Sequence, residues 1–405
     1  MKKNMFLMDL SILLFGITGF FYFLIGNGYV LLGVSVVPIS LYIFSSIVAM
    51  DKDNRTWLVF VIFMWISALV SVYQTASYKF LLVVIVMFAA KLVFESVYGW
   101  HMKMARIFYF FALIHTVAVI LSLFIPDQIK AIVTKLYTGD LVDTYMTRFE
   151  SGSYSGIAGQ TGFAAFFISI FLGYSVCGLI TGEKKTKNFI FTMLGIFAIL
   201  LTVKRSYILS NIIAASFVFF FYNKGNKKSF RNFVIAGIVL IITYFIFRTN
   251  SAMLNVLNKM DMLIESGDVT NGRIELWKET LELWKKNPIF GCGLSTLPAY
   301  YGISTHNSYL QILAEAGVFG LATYLAVLIS SLVASCKVFK EIENAEKNEK
   351  LVTISEKTTF LTCIYMQIVF IAYNFAGNPL YGISFMLINV FYIACIKSYL
   401  KNKNG

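Results

Sequence analysis

Apolar residues run along this chain in continuous blocks of roughly 18–25, separated by polar stretches. A helix needs about 20 apolar residues to cross the hydrocarbon core of a bilayer. Blocks of that length that do not alternate with polar positions predict transmembrane helices rather than barrel strands. The pattern places spans at 5–25, 28–50, 56–76, 78–97, 105–125, 155–180, 189–203, 206–222, 232–248, 309–335, 358–375 and 380–397. The fold class expected is thus an all-α integral membrane protein of about twelve transmembrane helices, with residues 1–405 forming a single polytopic domain. Two polar segments exceed ordinary connection length. One covers 126–154. The other covers 249–308, between the ninth and tenth predicted spans.

Composition agrees with this class. Of the 405 residues, 58% are hydrophobic and only 14% charged, which excludes an ordinary soluble domain. The net charge of +13 is read as a topology signal rather than a nucleic-acid footprint, since no nucleic-acid motif accompanies it. With the N-terminus inside, the segments "MKKN", "DKDNR", "WHMKMAR", "GEKKTKN", "NKGNKKSFRN", "KVFKEIENAEKNEK" and "KSYLKNKNG" face the cytoplasm. They and their flanks hold about 22 of the 34 Lys and Arg, which predicts cytoplasmic N- and C-termini. The basic tip and apolar run at the start lack a small-residue cleavage site, so a retained first helix is expected. The five cysteines show no CxxC spacing, which supports neither a zinc site nor a disulfide framework.

Within the long outer segment, "GRIELWKETLELWKKNPIFGCG" reads as an amphipathic helix. Ile274, Trp277, Leu281 and Trp284 share the expected apolar face, Asn271 is the candidate N-cap, and Pro288 and Gly291 close the element. Such a helix suits either the membrane interface or packing on the outer ends of the spans. In "LLTVKRSYILS", Lys204 and Arg205 fall on the outer side at a tight turn. They either serve a cavity or partner or snorkel to the interface. Topology brings Arg148, Arg205, Arg273 and His306 to one face. Guanidinium groups match phosphate oxygens and stay charged. An imidazole titrating near neutrality can take a proton from a hydroxyl. Together they point to transfer from a lipid-linked phosphate to a hydroxyl. Asp261, Glu265 and Asp268 show no metal-ligand arrangement and read as a solvated face. His101 and His115 are read as histidines satisfied by a neighbour rather than catalytic, and Asp9 and Glu95 as packing or interhelical polar contacts, against a substrate path.

The run from "GRIELWKETLELW" through "NPIFGCG", "HNSYLQ" and "EAGVFG" resembles the shared segment of the O-antigen ligase and polysaccharide polymerase superfamily. The likeness is firm over 270–330. It extends weakly through "KRSYILS" back to "RFESGSYSGIAGQTGFAAF", starting near 148. Two positions depart from the family pattern: Lys204 stands where Ser is common, and Gln160-Thr161 where Pro-Asn is frequent. The first five predicted spans carry no such likeness.

The resemblance implies a metal-independent glycosyltransferase, without cofactor, on the outer face of the bacterial plasma membrane. Its donor would be a glycan on undecaprenyl diphosphate. In a polymerase the acceptor is the next lipid-linked repeat unit; in a ligase it is a terminal acceptor. The family's functional residues map to His306 as base and to Arg205 and Arg273 on the diphosphate. Arg148 is a further candidate for the anion, and Asn307 a candidate for the substrate beside His306. Glu315 is a candidate for orienting an arginine or lowering its helix into the site. Tyr301, with Tyr300 and Tyr309, offers a face for a sugar, against plain packing in a chain that is 17% aromatic. Expected partners are the bilayer, a chain-length regulator and a flippase, and no nucleic acid. The alternative from another class is a lipid-linked oligosaccharide flippase, which would spread its charges through a central cavity rather than gather them on one face.

Overall fold

A computed structural model describes residues 2–21, 51–97, 99–223, 273–302, 304–347 and 352–399. Among these residues every regular element is helical. In chain order they are α1 (Lys2–Phe21), α2 (Lys52–Val70), α3 (Gln74–Ser96), α4 (His101–Phe124), α5 (Pro126–Leu136), α6 (Asp140–Glu150), α7 (Thr161–Thr181), α8 (Lys185–Leu201), α9 (Arg205–Asn223), α10 (Arg273–Lys286), α11 (Thr296–Tyr301), α12 (Ser308–Lys347), α13 (Ile354–Tyr373) and α14 (Ile383–Ser398). Short 3₁₀ turns cover Gly156–Ala158 and Pro379–Tyr381. Among the described residues, six helices are long and apolar enough to span a membrane: α2, α3, α4, α7, α9 and the Ser308–Asn344 part of α12. Asp9–Phe21 and Ile383–Ser398 are shorter apolar helices. The chain is an all-α integral membrane protein.

Ten of the twelve expected spans fall on described helices; those at 28–50 and 232–248 lie outside the described residues. Several helices begin earlier than their apolar blocks, because polar caps start them. Asp51 accepts the Asn54 N–H at 2.8 Å and begins α2 at Lys52. Thr353 and Glu356 form a capping box that begins α13. The long 126–154 segment holds α5, opened by Pro126 at its first turn, and α6. One boundary is corrected. The expected span at 155–180 begins only at Thr161, because Gly156 and Gly159 take positive φ in the preceding turn.

The chain divides into two compact units, Met1–Tyr109 with Gly272–Gly405, and Phe110–Asn271. In the first, α14 is the central helix, buried along most of its length. It packs on α1, α3, α12 and α13. Phe391 sits 4.5 Å from Phe94 and 5.4 Å from Phe108, ring to ring, with Trp100 4.9 Å from Phe94. One polar cluster interrupts this core. Lys91 Nζ lies 2.8 Å from both Asp53 and Glu95, and Lys397 Nζ lies 2.8 Å from Asp53 and 3.0 Å from Glu95. Ser330 and Ser331 of α12 donate to the same Asp53. Glu95 is therefore an interhelical ion partner. Asp9 pairs with Lys103 at 2.7 Å, and His101 faces Glu356 at 3.5 Å.

In the second unit α7 is central and packs against α8 and α9. Asn211 of α9 donates to Ser169 of α7 at 2.8 Å. His115 packs its ring 4.4 Å from that of Phe167.

Candidate functional site

The site in the first unit is built on a broken helix. Within α12, Gly317 has φ 68° and ψ −169°, a conformation open essentially to glycine. In an unbroken helix Val318 N–H would bond to the Ala314 carbonyl. Instead it donates to Pro288 O at 3.0 Å, and Ala314 O accepts from Cys292 N at 2.9 Å. Glu315 O accepts from Gly293 N at 2.9 Å and from Ser67 Oγ at 2.8 Å. The segment "NPIFGCG" thus supplies the partners that the break in "EAGVFG" would leave unmet. Irregular backbone at membrane depth requires such satisfaction. A Cβ on Gly317 would overlap the Ile289 carbonyl, so the approach of the two segments also needs a glycine.

The Glu315 carboxylate is enclosed at the centre of this junction, with 0% exposure. It accepts from Ser295 N at 2.9 Å, Leu297 N at 3.2 Å, Gln311 Nε2 at 3.2 Å and Tyr381 Oη at 2.7 Å. Its visible role is to tie the first turn of α11, the start of α12 and the 379–381 turn together. Burial, and then the Glu315 carboxylate, push the Cys292 thiol up to about 11.

Upstream of Glu315 lies the "STHNSYLQ" turn. Asn307 caps α12: its Oδ1 accepts from Tyr309 N and Leu310 N, both at 3.1 Å. His306 is exposed and has φ 52°. For a residue with a Cβ the left-handed region costs roughly 1–2 kcal/mol. The neighbours on both sides hold it there. Trp277 Nε1 donates to Thr305 O at 2.9 Å, and Thr305 Oγ1 donates to Asn307 O at 2.8 Å. Ser308 N donates to Asn374 O at 2.9 Å and to Gly377 O at 3.1 Å. Strained backbone positions of this kind cluster at functional sites.

Arg273 stands at the first described turn of α10 and is partly buried. Its Nη1 donates to Ala376 O at 2.9 Å. The turn at 374–378 therefore anchors both Arg273 and the segment that carries His306. The 374–381 segment "NFAGNPLY" was absent from the sequence-derived site. A polar cluster rich in Asn, Gly and Pro between two apolar blocks was the available signal. The amphipathic helix is present as expected, but its face differs. The helix packs on α12; Leu276 and Thr280 are buried, Trp277, Leu281 and Trp284 are partly buried, and Ile274 is exposed. Thr280 can be buried because its hydroxyl donates to Leu276 O at 2.7 Å. The Tyr301 side chain lies outside the described residues, as do Asn271, Asp261, Glu265 and Asp268.

In the second unit, Arg148 closes α6, and its Nη1 lies 3.4 Å from Thr161 Oγ1. Ser153 N donates to Arg148 O at 2.9 Å, and Tyr154 N to Leu201 O at 2.9 Å. The Gly-rich segment after Arg148 is thereby tied to the turn that precedes Arg205. In that turn Val203 has φ 55°, an outlying conformation for a β-branched residue. Arg205 then opens α9. A cation at a helix N-terminus opposes the helix dipole, whereas an anion there is favoured. An anionic partner would reverse the sign of that local balance. The turn thus combines backbone strain with a basic helix start.

These features define an integral membrane protein in which one polar turn anchors both an arginine and the segment that carries a strained, exposed histidine, just before an interrupted helix. The family model described as O-Antigen ligase matches residues 190–325, a stretch containing Arg205, Arg273, His306, Asn307 and Glu315. The match covers about a third of the chain and supports an enzyme of O-antigen ligase or related polymerase type. No curated protein matches the chain.

Proposed function

We propose that the chain is a polysaccharide repeat-unit polymerase. It moves a growing glycan from undecaprenyl diphosphate to a hydroxyl of the next lipid-linked repeat unit, at the outer face of the plasma membrane. The observation that carries the reading is the pairing of His306, exposed and held in a strained conformation, with Arg273 on the turn at 374–378. The bond between the anomeric carbon and the diphosphate oxygen breaks, and the diphosphate leaves with the electron pair. The acceptor oxygen forms the new bond and gives its proton to the His306 imidazole. Arg273 and Arg205 hold the diphosphate and stabilise its growing charge, with Arg148 supporting the same anion. Because guanidinium groups supply that charge, the reaction is proposed to need no divalent metal.

The family model's description favours a second reading, ligation to a terminal acceptor. One experiment separates them. Purified protein in vesicles is given the lipid-linked repeat unit in excess chelator. A ladder of lengthening products is the polymerase result. A single product formed only when a terminal acceptor is added is the ligase result. Movement of the lipid across the bilayer with no new covalent product would make it a flippase and refute both. Activity that returns only with magnesium or manganese would refute metal independence.

A further inference from the structure

The hydrogen-bond chain beside the histidine turn has a fixed polarity. Glu315 Oε1 accepts from the backbone Leu297 N at 3.2 Å and so presents an acceptor, which orients the Gln311 amide nitrogen toward it at 3.2 Å. The Gln311 Oε1 then faces the other way and accepts from Asn378 Nδ2. That bond in turn orients Asn378, with its nitrogen toward Gln311 and its Oδ1 turned away. Asn378 Oδ1 is buried and has no hydrogen-bond partner among the described residues. Unmet buried carbonyls are uncommon in native proteins. Flipping the amide would set two oxygens, or two nitrogens, face to face somewhere along the chain, so the orientation is imposed by Glu315.

The place of this oxygen gives it meaning. Asn378 follows Gly377, whose carbonyl accepts from Ser308 N at 3.1 Å, two residues after His306. Thr305 Oγ1 lies 3.4 Å from the same Gln311 oxygen that Asn378 serves. Arg273 is anchored two residues before Asn378, on Ala376. Asn378 as a residue is partly exposed, so its covered oxygen lies close beneath the surface of the candidate site. A neutral oxygen that can only accept does not suit a diphosphate, whose oxygens also accept. It suits a hydroxyl.

We infer that Asn378 Oδ1 accepts a hydrogen bond from a sugar hydroxyl of the acceptor glycan and helps to select that acceptor. This rests on the glycosyl-transfer reading above. The test uses the full-length protein with the lipid-linked repeat unit as donor. The repeat-unit glycan, released from its lipid, is titrated in as acceptor. Asn378→Leu should raise the half-saturating glycan concentration about five- to tenfold, the equivalent of one neutral hydrogen bond. Asn378→Ser, whose hydroxyl can both donate to Gln311 and accept, should raise it less. Undecaprenyl diphosphate without sugar should bind both variants as tightly as wild type. An unchanged half-saturating concentration in Asn378→Leu would assign the oxygen to ordered water and overturn the inference. Equal losses of undecaprenyl diphosphate binding and thermal stability in both variants would make the role structural and overturn it as well. His306→Ala runs in parallel: a wild-type rate there would sink the transfer reading itself, separately from the result at Asn378.

Discussion

Replacing His306 with glycine and with alanine separates the strain of the turn from the chemistry of its side chain. His306 sits at φ 52°. Alanine keeps a Cβ and therefore keeps the roughly 1–2 kcal/mol cost of the left-handed region. Glycine removes that cost but loses about 0.5–1 kcal/mol to its extra freedom in the unfolded chain. The glycine variant should therefore be more stable than the alanine variant by up to about 1.5 kcal/mol. The imidazole is exposed, and both variants lose the same imidazole contacts, so those cancel in the comparison. Both variants lose the proton acceptor, and loss of a general base costs about 10²–10⁴ in rate. Undecaprenyl diphosphate binding should survive, since Arg273 keeps its bond to Ala376. The assay is single-turnover transfer at matched membrane expression, with thermal unfolding of each variant in the same detergent. A wild-type rate in either variant would refute the base. A glycine variant clearly less stable than the alanine variant would refute the strain argument.

Other perturbations test the frame around this turn. Gly317→Ala should destabilise by more than about 2 kcal/mol, because a Cβ there is both conformationally disfavoured and set against the Ile289 carbonyl; a thermal midpoint equal to wild type would show that the break is not required. Arg205→Lys keeps a charge but loses the planar fork, so donor affinity and rate should both fall, whereas near-silence would mean that Arg205 only snorkels. Lys397→Met removes one of two ammonium groups shared by Asp53 and Glu95 and should cost about 3–5 kcal/mol; equal stability would show that Lys91 alone suffices. The Cys292 thiol, raised from 9.0 to about 11 by burial and then by Glu315, should carry about a hundredfold less thiolate at pH 7 than an ordinary cysteine. Its alkylation should be correspondingly slow and should accelerate as pH rises toward 11; fast labelling at pH 7 would contradict the enclosed setting.

The class of the protein and the position of its described spans were legible in the amino-acid order alone, because span length and apolar continuity are local properties. Ten expected spans coincide with helices for that reason, and the amphipathic helix at α10 was legible from its spacing. Local pattern also marked the polar turn before α12, where Asn307 now serves as the cap. It did not indicate which face of α10 is buried, since Thr280 goes inward only by bonding to its own helix. Nor did it reveal the 374–381 segment. The bond from Arg273 to Ala376 joins residues 103 apart in the chain, and that from Tyr381 to Glu315 joins residues 66 apart. A periodicity of two or 3.6 residues carries no trace of such contacts. His306 illustrates both levels. Its place where a polar turn meets an apolar helix could be read from eight letters. Its left-handed backbone is set by bonds at Thr305, Asn307 and Ser308, whose partners include Trp277, Asn374 and Gly377. Only the folded chain brings those groups within hydrogen-bond reach, and the strain they hold exists only there.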